Sequence, residues 1–222
     1  MRRRTSAFPG VDPEAAAARA KYLVPMDAST PTDGPVWPNP AQEPAGSPSG
    51  APGASDDVCA RLVRLAAGHR VTVLVDTVGE HLLRAAAAGA DIVKANSSEL
   101  LDTTGLADVT AAAAALGRRG AKAVVVSLGE AGMIACTPGG SWRAAPPARI
   151  VGNPTGAGDA AAAALIAGAV AGAPWPDRLR EAVALAAAAV LQPTAGSFDM
   201  EDYVRFVPQV LVEEQHATGF DR

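Results

Sequence analysis

The stretch "VGNPTGAGDAAAAALIAG", Val151 to Gly168, sets Gly156, Gly158 and Asp159 directly ahead of an alanine-rich run that reads as a helix. Glycines let the backbone turn tightly and present successive N–H groups, and the positive end of a helix dipole adds to them. The amides of Gly156, Ala157 and Gly158 then form a nest that can hold a transferring phosphoryl group. Asp159, in the first turn, would lie beside that group with a carboxylate able to accept a proton or to position water. An ordinary helix start fits the same residues, with Thr155 or Asp159 as the cap and the glycines only turning the chain.

Two further stretches carry residues of the same kind. In "KANSSEL", Lys94, Asn96 and Glu99 follow an expected strand. Asn96 and Glu99 share one face of a helix start. Through water they could organise Mg²⁺, which keeps several waters and takes one or two protein oxygens. A capping box, Asn96 capping and Glu99 reaching back, is the alternative. In "VVVSLGEAG", a buried strand ends at Ser127, with Gly129 and Gly132 after it. That is the carboxyl end of a parallel strand, where open α/β sheets bind ligands; a tight loop into the next strand is the alternative. Neither a GxxxxGK[ST] nor a GxGxxG pattern occurs, which removes a P-loop and a dinucleotide fingerprint.

The elements that must position these residues begin at Ser55. "SDDVCARLVRLAAG" predicts a helix with a serine cap, two acids in its first turn, and Val58, Leu62 and Leu65 on one face. Next come "VTVLVD" as a strand, "EHLLRAAAAGA" as a helix, "DIVKAN" as a strand, "SSELLDTTG" and "DVTAAAAALGRRG" as helices, and "KAVVVSLG" as a strand. Alternating β and α with short connections predicts an α/β fold with a mainly parallel sheet covered by helices. "GMIAC" and "SWRAAPP" flank "TPGG" as a hairpin, and two alanine-rich helices follow over about 156–171 and 177–191. The tail "DYVRFVPQVLVEE" suggests a last short helix and an edge strand.

Upstream the texture differs. Between Pro25 and Gly53 stand eight prolines among glycine, serine and acidic residues, so residues 1–45 read as a Pro/Gly-rich extension with one short helix in "PEAAAARAKYL", and 46–222 as the domain. The 222 residues are 49% hydrophobic but only 4% aromatic, which argues against a surface that stacks single-stranded nucleic acid. A net charge of -4 supplies no field to recruit nucleic acid or an anionic membrane. No run suits a membrane span, and no secretory signal opens the chain. Cys59, Cys136 and the three scattered histidines lack metal-ligand spacing, and the cysteines read as buried thiols of a reducing cytoplasm.

In their order, Asn-x-x-Glu at 96–99, Ser-x-Gly-x-x-Gly at 127–132 and Gly-Ala-Gly-Asp at 156–159 resemble the PfkB, or ribokinase-like, family of carbohydrate kinases. The likeness runs from about Gly46 to Glu214. It takes in "AGSPSGAPGASDDVCARLV", similar to a family turn and helix, and "VDTVGEHLLRAA". Asn153-Pro154 before the glycines, and the C-terminal end, are similar to the 1-phosphofructokinase and tagatose-6-phosphate kinase branch. The resemblance implies a three-layer sandwich and transfer of the γ-phosphoryl of ATP to a ketohexose phosphate, with Mg²⁺. It implies that Asp159 takes the hydroxyl proton, that the amides of 156–158 stabilise the phosphoryl group, and that Asn96 and Glu99 organise Mg²⁺. Lys94, Thr155, Ser127, Gly129 and Gly132 fall on the nucleotide side. The family's sugar-contacting aspartate, paired glycines and β lid have no counterpart in residues 1–45, so the expectation is an N-terminally truncated domain. Its open sheet edge predicts self-association, as in a homodimer.

Overall fold

The computed structural model of the chain describes residues 55–215 and Phe220. The expected extension over 1–45 and the turn over 46–54 lie outside the described residues. Within them the helices are α1 (Val58–Gly68), α2 (Gly79–Ala87), α3 (Ser97–Thr104), α4 (Val109–Arg119), α5 (Ala157–Val170), α6 (Trp175–Val190) and α7 (Met200–Phe206). The strands are β1 (Leu74–Asp76), β2 (Ile92–Asn96), β3 (Val124–Ser127), β4 (Met133–Thr137), β5 (Gly140–Ala145) and β6 (Leu211–Gln215).

The strands form one sheet in the order β1-β2-β3-β4-β5-β6. β1, β2 and β3 are parallel; β4, β5 and β6 each run antiparallel to the strand before. The described sheet is therefore mixed: helical crossovers connect its parallel strands, short turns connect β3 to β4 and β4 to β5, and the chain returns to pair as β6 only after α5, α6 and α7. The β4–β5 connection is the expected hairpin, its Thr137 hydroxyl donating to Gly140 O at 3.0 Å. The tail supplies α7 and the edge strand β6.

Successive strand side chains point to opposite faces, and two cores result. Leu74, Ile92, Val125, Ala135 and Ala144 pack with α5, α6 and α7. Val75, Val93, Val124, Val126 and Cys136 pack with α1 to α4. This is the expected three-layer arrangement. α5 buries Ala161, Ala162, Ala164, Leu165, Ile166 and Gly168, apolar on nearly every side because it lies between the sheet and α6. Small side chains there let the helices approach closely.

α1 departs from expectation. It starts at Val58 with Asp57 at the N-cap and no side-chain cap; the Ser55 hydroxyl donates to the Asp57 carboxylate instead, at 2.6 Å. Its buried face is Cys59, Ala60, Val63 and Ala66, while Leu65 is 60% exposed. The small alanines let α1 lie close on α2, and the bulkier leucine turns to solvent.

Candidate functional site

The candidate residues gather at the carboxyl ends of β1, β2 and β3 and at the starts of α3 and α5. Asp76 closes β1 and stands opposite Lys94 of β2 in register. Lys94 Nζ donates to Asp76 Oδ2 at 2.5 Å, with the lysine side chain only 5% exposed. The same nitrogen lies 3.4 Å from the position a Cβ on Gly158 would take. One buried cation thus touches both the parallel sheet and the glycine turn that opens α5.

Two residues further along β2, Asn96 pairs with Ser127. Asn96 caps α3, accepting from Glu99 N at 2.9 Å, and Glu99 Oε2 accepts from Asn96 N at 2.8 Å. The capping-box alternative is therefore realised. It occupies Asn96 Oδ1 and Glu99 Oε2 and leaves Glu99 Oε1 outside it. Among the described residues there is no cluster of three or more His, Cys, Asp or Glu side chains suited to a metal ion. A Mg²⁺ held mainly by phosphate and water, with one carboxylate oxygen from Glu99, fits this donor set; an all-protein cage does not.

After Ser127 the chain makes a short 3-10 turn, Gly129–Ala131, into β4, so this loop is also the tight connection of the alternative reading. Leu128 N donates to Gly132 O at 2.8 Å. Gly132 has φ +87°, and a Cβ there would meet Ala144 O at 2.0 Å, so glycine is what lets the loop lie against β5.

The α5 turn is held from behind. Asn153 N donates to Val190 O at 2.8 Å, and Asn153 Nδ2 to Pro193 O at 3.1 Å. Asn153 Oδ1 accepts from Thr155 N at 3.0 Å, an Asx turn that folds the chain into the glycines. Gly156 occupies the N-cap with φ +85°, and a Cβ on it would come within 2.9 Å of Gly196 N. Neither Thr155 nor Asp159 caps the helix, which begins without any side-chain cap. Ala157 N donates to Pro154 O at 3.1 Å, while Gly158 and Asp159 hold the second and third helical positions, whose N–H groups have no intrahelical acceptor. Thr155 and the Asp159 carboxylate are exposed.

Sequence reasoning missed two contributors. Asp76 showed only as the acid that ends "VTVLVD"; the lone lysine inside "DIVKAN" was the signal that a buried countercharge had to lie beside it. The loop between α6 and α7, which backs the glycine turn, left no chemical signature because its contacts are made by backbone atoms. No helix among the described residues is long and apolar enough to cross a membrane.

A three-layer α/β sandwich with its polar and glycine-rich residues at the carboxyl ends of parallel strands defines an α/β ligand-binding protein. The chain belongs to the pfkB family of carbohydrate kinases, whose pattern matches residues 44–202. It is 34% identical over 143 residues to the 1-phosphofructokinase of Escherichia coli K12, covering 62% of this chain and 46% of that one. The corresponding figures for the 1-phosphofructokinase of Rhodobacter capsulatus are 36%, 62% and 45%. Among solved structures, Escherichia coli phosphofructokinase-2 in complex with substrates and products superposes with a TM-score of 0.65 at 28% identity, over 72% of this chain and 54% of that one. Arabidopsis thaliana ribokinase complexed with ribose and ATP gives 0.59 at 26%, over 69% and 53%. The fold implied by the ordered motifs is thus borne out. The chain spans about half the length of the relatives it matches.

Proposed function

We propose that the chain transfers the γ-phosphoryl group of ATP to the free primary hydroxyl of a ketohexose phosphate, giving the bisphosphate. Fructose 1-phosphate, fructose 6-phosphate and tagatose 6-phosphate are the candidate acceptors. The observation that carries this reading is the placement of Lys94 Nζ against Gly158, which sets a buried cation at an uncapped, glycine-opened helix start. Such a site favours a phosphoryl group, because amides, helix dipole and ammonium all point positive charge at it.

In this reading the Asp159 carboxylate takes the proton of the acceptor hydroxyl. The hydroxyl oxygen bonds to the γ-phosphorus, and the bond from that phosphorus to the bridging oxygen of ADP breaks. In the turn of Gly156, Ala157 and Gly158, with Thr155 at its edge, the Ala157 amide is taken by Pro154 O, so the equatorial oxygens are held by the amides left without an intrahelical acceptor, those of Gly158 and Asp159. Ser127, Gly129 and Gly132 line the nucleotide side. Mg²⁺, when bound near Asn96 and Glu99, supplies charge that neutralises the phosphate oxygens. The two buried thiols suit a reducing cytoplasm, and the edge strands β1 and β6 offer backbone groups for self-association in a homodimer.

A coupled assay with ATP, Mg²⁺ and the three sugar phosphates tests this. The reading predicts turnover with at least one of them that Asp159→Asn abolishes; equal rates in the two proteins would defeat it. A second reading, nucleotide binding without turnover, draws on the sequence, in which the family's sugar-contacting aspartate, paired glycines and β lid have no counterpart in residues 1–45. It predicts that calorimetry detects ATP or ADP and no sugar phosphate.

A further inference from the structure

The glycine turn rests on the last residue of α6 and on the α6–α7 loop, residues 191–199, at three points in all. Val190 O and Pro193 O accept from Asn153, and Ala195 and Gly196 stand within 3.2 Å of where a Gly156 side chain would begin. The near end of the loop is fixed by α6 itself. The far end is fixed only as well as α7 is docked. Asp199 caps α7, accepting from Glu201 N at 2.6 Å, but the helix has seven residues and buries just Tyr203 and Phe206, with Met200 and Val204 more than half exposed. A helix so short has little apolar contact of its own.

Its polar anchor is a buried hydrogen bond: Tyr203 Oη donates to Glu181 Oε2 of α6. Glu181 is 8% exposed and Tyr203 5%. The Phe198 ring, at the end of the loop, meets the Tyr203 ring edge-on with centroids 6.1 Å apart. The connection therefore runs from Glu181 through Tyr203 and Phe198 into the loop, and from the loop into Asn153 and Gly156.

We propose that Glu181 and Tyr203 are a positioning pair for the catalytic turn: by clamping α7 onto α6 they hold residues 191–199 against Asn153 and Gly156. The pair touches neither nucleotide nor sugar. It acts through the loop, and its effect on turnover rests on the reading of the Asp159 turn as catalytic. Loss of the tyrosine hydroxyl leaves a buried carboxylate without its donor, loosens α7, and lets the turn move.

The test is hydrogen exchange of the full chain, read at the amides of residues 153–160. It compares wild type, Tyr203→Phe, and Leu82→Val, which trims the opposite core and serves as a control for general loss of stability. Tyr203→Phe should speed exchange in 153–160 by about tenfold beyond the control, while Glu181→Gln, which keeps an oxygen to accept the hydroxyl, stays near wild type. In the kinase assay Tyr203→Phe should lower kcat about tenfold with KM for ATP unchanged, as displacement of a positioned base requires. Exchange in 153–160 that changes no more in Tyr203→Phe than in Leu82→Val would overturn the proposal. A wild-type protein without turnover would instead defeat the kinase reading, and the exchange comparison would still decide the clamp.

Discussion

Lys94 and Asp76 face one another across the β1–β2 register, their charged groups 2.5 Å apart, and the lysine nitrogen also lies against Gly158 at the start of α5. The pair couples the sheet to the glycine turn. Burying an ammonium costs several kcal/mol unless a carboxylate and hydrogen bonds offset it, so this lysine is held where it is by Asp76.

Asp76→Asn should therefore cost about 3 kcal/mol, the usual order for removing one partner of a buried pair. Urea unfolding of the variant and the wild type measures this. Lys94→Met, which removes the cation and keeps the bulk, should cost less stability than Asp76→Asn and more ATP affinity. A reversed order of stability would contradict a buried, paired lysine.

Three glycines should rank by geometry. Gly132→Ala drives a Cβ to 2.0 Å from Ala144 O and should be the most destabilising. Gly156→Ala follows, with φ +85° and backbone 2.9 Å away. Gly129→Ala, with φ +60° but open space, should cost only about 1 kcal/mol for its left-handed backbone. Thermal unfolding of the three gives the order directly.

Gly158→Ala separates stability from function. Its φ is not positive, and a Cβ would meet only Lys94 Nζ, at 3.4 Å. Alanine suits a helix better than glycine, so the variant should fold at least as well as wild type. The added methyl would nonetheless lie in van der Waals contact with the Lys94 ammonium, shielding it from an anion at the turn, and should weaken ATP binding about tenfold. Calorimetry with ATP beside thermal unfolding checks both halves.

Burial raises the Glu181 carboxyl above its ordinary value of 4.5, the Tyr203 hydroxyl opposing that shift, and burial raises the Tyr203 phenol as well. A carboxyl whose folded value exceeds its unfolded one binds its proton more tightly in the native state. Its ionisation thus removes stability as pH rises from about 4.5 through the raised value. Glu181→Gln should abolish that component. Urea unfolding across this range should show the stability of the Gln variant, relative to wild type, improving with pH; a flat difference would contradict it.

The α/β order was legible because the strand and helix runs are short, differently patterned and separated by glycine or a cap. Asn96 and Glu99 illustrate the limit: three-residue spacing at a helix start serves a capping box and a metal-water shell equally, and the structure displays the capping box. The antiparallel pairing of β4 with β5 was written in "TPGG", whereas the change of direction after β3 falls on the segment with Gly129 and Gly132, where the sequence equally suited a ligand loop. The burial of α1 was not legible: Leu65 carries the apolar signal, yet packing on α2 favours the alanines. The backing of Gly156 by residues 195 and 196 depends on backbone approach between segments some forty positions apart, which no local pattern encodes.

In the proposed reading Asp159 and its glycine turn transfer a phosphoryl group. Steady-state turnover of ATP with fructose 1-phosphate, fructose 6-phosphate and tagatose 6-phosphate, measured for wild type against Asp159→Asn, tests it most directly. The expected result is a rate with at least one sugar phosphate that falls by about a thousandfold in the variant, the order lost when a general base is removed. Wild-type and Asp159→Asn rates that coincide with all three would contradict it.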